Sequence, residues 1–173
     1  MLAARVARDY PKVTWWCPQL PPSPRAAMDL VIRGVDAWPV RTLAVAGSSL
    51  GGFYATWVAE QFGCKAVLLS PAVDPARDLA KHTGEHTAWH DPQERFVFEA
   101  GFVGELRALQ CQVLAKPQNY YVVIAKGDEV LDWREMRVRY LGAAIQLLEG
   151  GDHALSDFYA HIEGVLGFLD LGM

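Results

Sequence analysis

The segment Val45-Ala46-Gly47-Ser48-Ser49-Leu50-Gly51-Gly52-Phe53 constrains this chain more than any other. The continuous apolar run Arg41 to Ala46 precedes it, the pattern of a strand buried on both faces. A helical pattern from Phe53 to Phe62 follows and ends at Gly63. Gly47, Ser49 and Gly51 therefore set G-x-S-x-G at a strand-to-helix turn. So sharp a turn pushes the serine hydroxyl out above the sheet, and small residues two before and two after it avoid clashes. The turn also aims the N–H of Leu50 at the reacting centre, where the helix N-terminus adds positive potential. With five serines and fifteen glycines, chance gives such a pattern on the order of 0.04 times in a chain of this length. A phosphate-binding loop would call for G-x-G-x-x-G or a following Lys-Ser/Thr, and neither is present. The segment reads as a nucleophile turn.

The other segments alternate between the two periods. Thr14 to Cys17 is a short strand candidate, closed by the proline-rich loop Pro18 to Pro24. Ala26 to Ala37 has the spacing of an amphipathic helix, with Ala27, Leu30, Val31 and Val35 on one face. Ala66 to Leu69, Tyr120 to Ala125 and the weaker Ala144 to Leu148 read as strands, and Ser156 to Leu169 as a final amphipathic helix. This alternation predicts the α/β class, a mostly parallel sheet with helices on both faces. The polar stretch 74–109 breaks the rhythm with Gly84, Pro92, Gly101 and Gly104. It predicts a crossover helix plus an excursion over the sheet edge that can act as a partial lid, with Glu99 to Leu109 helical.

A nucleophilic serine needs a base, and the base needs a third group to orient it. In this fold class the order along the chain is serine, acid, histidine, with the last two on loops after later strands. Asp128 follows the strand Tyr120 to Ala125, and His153 sits in Gly150-Gly151-Asp152-His153-Ala154 before the last helix. Asp132 opens a D-x-x-E capping pattern, which occupies its carboxylate with backbone N–H groups. Asp152 is adjacent to His153 and badly placed to reach that ring's Nδ1. Glu129 stands as second choice for the acid, expected to point away from Asp128.

The remaining composition excludes several classes. At 173 residues the chain fits one domain, 1–173, and a net charge of −4 without any Lys/Arg block argues against nucleic acid. No apolar stretch of about 18 residues exists for a membrane span, and Arg5, Arg8 and Asp9 interrupt what a signal peptide would need. Cys17, Cys64 and Cys111 are odd in number and widely spaced, so they read as free thiols of a cytoplasmic protein. His82, His86 and His90 recur every fourth residue, but Gly84 and Pro92 interrupt a helix there and no H-E-x-x-H occurs. No metal and no cofactor is expected. His161 reads as a surface or packing residue, and Trp89 and Trp133 as candidate borders of a substrate pocket.

Four blocks in order carry a resemblance: Gly47 to Thr56, Leu69-Ser-Pro-Ala-Val73, Gly127-Asp-Glu-Val-Leu-Asp-Trp133 and Gly150-Gly-Asp-His-Ala154. Thr83-Gly84-Glu85 and Glu105 to Leu109 extend it over most of the chain. Together they resemble the YqiA-like esterases, small bacterial proteins with an α/β-hydrolase fold. The resemblance implies Ser49 as nucleophile, Asp128 as acid and His153 as base, the assignment the spacing gives, and activity on short acyl esters. The family begins with a strand ending in a His-Gly-Phe-like loop, whereas Leu2, Ala3, Val6 and Ala7 look like the second half of the helix after it. The expectation is an α/β-hydrolase fold lacking the first strand and its oxyanion loop, with an unpaired sheet edge, weak activity and a tendency to aggregate. The function expected is a serine esterase acting on a small acyl ester, with a thioesterase or a non-catalytic, hydrolase-derived binding protein as alternatives.

Overall fold

The computed structural model describes residues 1–81, 84–88 and 91–171, with 85–88 and 91–96 described as backbone only. Its sheet is built from β1 (Ala44–Ser48), β2 (Lys65–Leu69), β5 (Tyr120–Ala125) and β6 (Ala144–Leu148), in the order β1-β2-β5-β6. All three pairings are parallel. Side chains on a strand point alternately to opposite faces. Ala66 and Leu68 of β2 and Tyr120, Val122 and Ile124 of β5 accordingly enter a core with Ala55 and Ala59 of α3 (Leu50–Phe62) and Met136 of α6 (Trp133–Arg139). Val67, Val123 and Ala125 face the other way, onto Val6 of α1 (Leu2–Asp9) and Ile162, Val165 and Leu166 of α7 (Ile162–Leu169). Helices thus cover both faces.

The sequence expectations need four corrections. The run Arg41 to Ala46 does not begin as strand: Val40–Thr42 is a 3-10 turn, and the strand occupies Ala44–Ser48. Nor is β1 buried on both faces, because among the described residues no strand pairs with its outer edge, and Ala46 and Ser48 are exposed. Thr14 to Cys17 forms no strand; a lone extended segment with no sheet edge bonded to it cannot satisfy its backbone as a ladder. It lines instead a groove that Ala44, Val45 and Ala46 of β1 also border, with Trp16 seated over Gly34 of α2 (Pro24–Val35), where a Cβ would come within 2.1 Å of the indole. The final helix is shorter than its periodicity, because Phe158–Ala160 winds as a 3-10 turn before α7.

The excursion at 74–109 contains a short helix α4 (Pro75–Leu79), an antiparallel hairpin β3 (Gly84–Ala88) and β4 (Asp91–Phe98), and α5 (Ala100–Leu109). The hairpin is absent from the sequence reading, since its polar strands carry no clear two-residue alternation. His86 falls in β3, while His82, Trp89 and His90 lie outside the described residues. Val103 and the fully buried Leu106 anchor α5 on Met28 of α2 and Phe53 and Val58 of α3. Of the three cysteines, all free, Cys64 is buried, and burial pushes its thiol up to about 11. No helix among the described residues is long and apolar enough to cross a membrane.

One polar contact locks the excursion to the body. Glu105 of α5 accepts hydrogen bonds from the Ser23 hydroxyl at 2.7 Å and the Arg25 N–H at 3.0 Å, at the N-terminus of α2. Those two donors, the backbone one first, hold its carboxyl below the ordinary glutamate range. A depressed folded-state pKa stabilises the fold above the unfolded value and loses that contribution as pH falls through the folded one. Glu105→Gln should therefore lower the melting temperature near neutrality, and thermal melts against pH should show the gap to the parent chain closing as acidity increases below about pH 4.

Candidate active site

The C-terminal ends of the parallel strands bring the candidate residues together, the edge at which open α/β sheets place their ligands. Ser49 directly follows β1, Asp128 lies in the turn after β5, and His153 lies in the loop after β6. Ser49 has φ 53° and ψ −121°, a backbone conformation few non-glycine residues adopt. Four hydrogen bonds hold it there. Its N–H donates to the Leu69 carbonyl at 3.0 Å, and its carbonyl accepts from Gly52 at 2.9 Å, Phe53 at 3.3 Å and Ala72 at 3.0 Å. The neighbouring Ser48 is the last residue of β1, in register with Leu69.

The two spacing glycines are not equivalent. A Cβ on Gly47 would sit 2.0 Å from the Gly51 carbonyl oxygen, so only glycine fits there. A Cβ on Gly51 would meet nothing within 4 Å, whereas one on Gly52 would come within 2.7 Å of Pro71 Cβ. The crowding expected at Gly51 thus falls on Gly52, because the helix turns Gly51 outward and packs Gly52 on the Ser70-Pro71 turn. Leu50 opens α3, so its N–H belongs to the first turn, whose donors have no partner within the helix.

His153 Nε2 lies 2.9 Å from Ser49 Oγ, and His153 Nδ1 lies 2.9 Å from Asp128 Oδ2. A carboxylate that is ionised only accepts, so against one the imidazole donates from Nδ1 and leaves Nε2 to accept from the serine hydroxyl. The Asp128 side chain is completely buried, and its second oxygen accepts the N–H groups of Val130 at 2.9 Å and Leu131 at 2.8 Å. A buried carboxylate is costly unless its lone pairs are satisfied, and here three donors converge on it.

The competing acids have other partners. Asp132 caps α6 by accepting the Arg134 N–H. Asp152 accepts the Ser156 N–H and hydroxyl, which draws its carboxyl below the ordinary range. Glu129 points away from the ring and accepts the backbone N–H of His153 at 3.0 Å. That clamp from the acid's loop onto the histidine's loop was not foreseen; the acidic residue beside Asp128 was its only signal. His161 pairs with Gln146 at 3.0 Å, away from this cluster. Trp133 does not border the Ser49 cavity: its ring takes the Lys126 ammonium at 5.4 Å and the Arg134 guanidinium at 4.7 Å from its centroid. Among the described residues, no group of three or more His, Cys, Asp or Glu side chains is placed to hold a metal ion.

Ser49 opens into a cavity of about 580 Å³. Leu50, Pro71, Val73, Leu79, Leu131 and Met136 give it apolar walls, and Arg77, Asp78, Lys81, Asp132 and Glu135 bring charge to it. A family model matches residues 1–170, described as an uncharacterised protein family, UPF0227. The chain belongs to that family. This is the YqiA family, in agreement with the four sequence blocks. Among solved structures, the chain is similar to the mouse alpha/beta hydrolase domain-containing protein 10, at a TM-score of 0.63 and 16% identity over 86% of this chain and 70% of that one. It is also similar to Est1E from Butyrivibrio proteoclasticus, solved with ferulic acid bound (TM-score 0.59, 16% identity, 85% and 68% covered). A third similar structure is the esterase domain of a Rhodothermus marinus protein (TM-score 0.56, 21% identity, 80% and 65% covered). These likenesses establish the α/β-hydrolase fold for this member of UPF0227.

The glycine asymmetry gives a direct test of the turn. Gly47→Ala should abolish the turn's geometry and lower stability by roughly 1–3 kcal/mol, the scale of a misfit backbone site. Gly51→Ala should be near neutral. Denaturant unfolding of the two variants side by side checks both outcomes.

Proposed function

We propose that this chain is a serine esterase that hydrolyses short-chain carboxylic esters through an acyl-enzyme intermediate. The observation that carries the reading is the unbroken hydrogen-bonded series from Asp128 through His153 to Ser49, opening on a cavity with apolar walls. In this reading His153 Nε2 takes the Ser49 proton as Oγ attacks the ester carbonyl, then returns it to the departing alcohol. Water, activated by the same nitrogen, cleaves the acyl-enzyme and releases the acid. Asp128 keeps the imidazole in the required tautomer and stabilises the imidazolium that forms. The Leu50 N–H donates to the developing oxyanion, with the positive end of α3 behind it. The resemblance to the YqiA-like esterases supports the same roles.

Ser49→Ala should remove hydrolysis of p-nitrophenyl acetate and labelling by a fluorophosphonate while leaving the circular dichroism spectrum intact. Ser48→Ala should retain both. Labelling that survives Ser49→Ala and disappears in Ser48→Ala would put the nucleophile one residue earlier. An unlabelled, inactive parent chain would favour a non-catalytic binding protein.

The acid is testable separately. Asp128→Asn should reduce kcat by up to about 10⁴-fold, because an amide no longer holds the productive tautomer. Asp132→Asn should cost little of either activity or stability, since asparagine caps helices well. Comparable losses of kcat in the two variants would assign the acid elsewhere.

A further inference from the structure

The wall of the Ser49 cavity contains an ion pair that the esterase chemistry does not use. Arg77 lies on α4 and Glu135 in the first turn of α6, 58 residues apart in sequence, and both line the cavity. The guanidinium grips the carboxylate with two parallel bonds, Nη1 to Oε1 at 3.1 Å and Nη2 to Oε2 at 2.7 Å. Its Nε donates to Asp78 at 2.7 Å, which fixes the fork from behind. Glu135 is the foremost cause of the raised Arg77 pKa. The two side chains are 53% and 42% exposed, which places the pair on the solvent side of the cavity, while Pro71, Val73, Leu131 and Met136 form its apolar interior. An isolated exposed pair does little for stability, but bidentate geometry with a buttressed guanidinium is the arrangement that holds a fixed position.

We propose that the Arg77–Glu135 pair is a strap across this cavity that determines acyl-chain length, admitting short acyl groups and rejecting long ones. The proposal rests on the esterase reading and names the substrate class of the same site. On this proposal a short acyl group on Ser49 is met by the apolar walls alone, short of the pair. A longer chain has to part the two charges or lie across them. Either alternative strips water from charged groups without replacing their hydrogen bonds, which is unfavourable for an alkyl chain. Specificity then comes from a repulsive element at the limit of the pocket as much as from attraction within it.

The experiment compares kcat/KM for p-nitrophenyl acetate and p-nitrophenyl octanoate in the parent chain, Arg77→Ala, Glu135→Ala, the double variant and the charge-swapped Arg77→Glu/Glu135→Arg. The expected result is an octanoate-to-acetate ratio about tenfold higher in each alanine variant, the lower end of what a pocket contact commands. The double variant should add little to either single one, and the swap should bring the ratio back toward the parent value. In the parent chain alone, 1 M sodium chloride should raise the ratio, since the screening length shrinks to about 3 Å; this arm requires no variant to fold. A merely structural pair would change both esters together and leave the ratio fixed, and that result overturns the strap. Labelling with ethyl and octyl fluorophosphonates runs in parallel. If neither reagent labels Ser49, the esterase reading fails; if both label it with an unchanged preference across the variants, only the strap fails.

Discussion

The positive φ of Ser49 is the constraint on which the rest of the site depends. A non-glycine residue in that region costs on the order of 1–3 kcal/mol and persists only where the surroundings over-determine it. Here the β1–β2 register does so, setting Ser48 beside Leu69 and leaving the Leu69 carbonyl to receive the Ser49 N–H. The next turn, Ser70-Pro71-Ala72, returns a second bond from Ala72 to the Ser49 carbonyl. Ser70 is itself fully buried with a positive φ of 40°. Two strained serines thus end adjacent strands, Ser49 held by the Leu69 and Ala72 backbone on either side of Ser70 and Ser70 by the Val123 carbonyl, and Gly47 and Gly52 clear the space around them.

The polar half of the site follows from burial. The Asp128 side chain has no access to water, and the turn after β5 supplies it two N–H donors and the histidine ring a third partner. Satisfying both oxygens leaves the carboxylate a single orientation, and the imidazole inherits it. The histidine's loop is fixed independently by Glu129 on its backbone N–H and by the close approach of Gly127 to Gly151, where a Cβ on Gly127 would sit 2.3 Å from a carbonyl oxygen. Rigid strands thus set the separation of the three side chains, and short turns set their directions.

The wider fold shows how such a site is walled. The stretch 74–109 supplies one side of the cavity through α4 and fastens itself to the body through Leu106 and the Glu105–Ser23 contact. The open edge of β1 lies on the other flank, beside an apolar groove of about 260 Å³ that Trp15, Trp16 and Trp38 help to line. Among the described residues β1 pairs with β2 alone, and the partly exposed Trp15 and Trp16 stand beside its free edge.

Sequence alone determined the elements whose causes are local. The apolar runs at 66–69 and 120–125 became β2 and β5 because their side chains are buried on two faces, the weaker run 144–148 became the half-buried β6, and Gly63 ended a helix through its backbone N–H while Asp132 began one through its carboxylate. Ser49, Asp128 and His153 were legible because a strand-to-helix turn and two post-strand loops occur in a fixed chain order. Tertiary structure decided whatever depends on a distant partner. Thr14 to Cys17 has strand composition yet stays unpaired, since a strand exists only through its neighbour. Arg77 meets Glu135 and Glu129 meets the His153 N–H across 58 and 24 positions, separations at which charge pattern carries no signal. The steric demand moved from Gly51 to Gly52 for the same reason: the atoms that a Cβ would strike belong to Pro71, brought there by the adjacent strand.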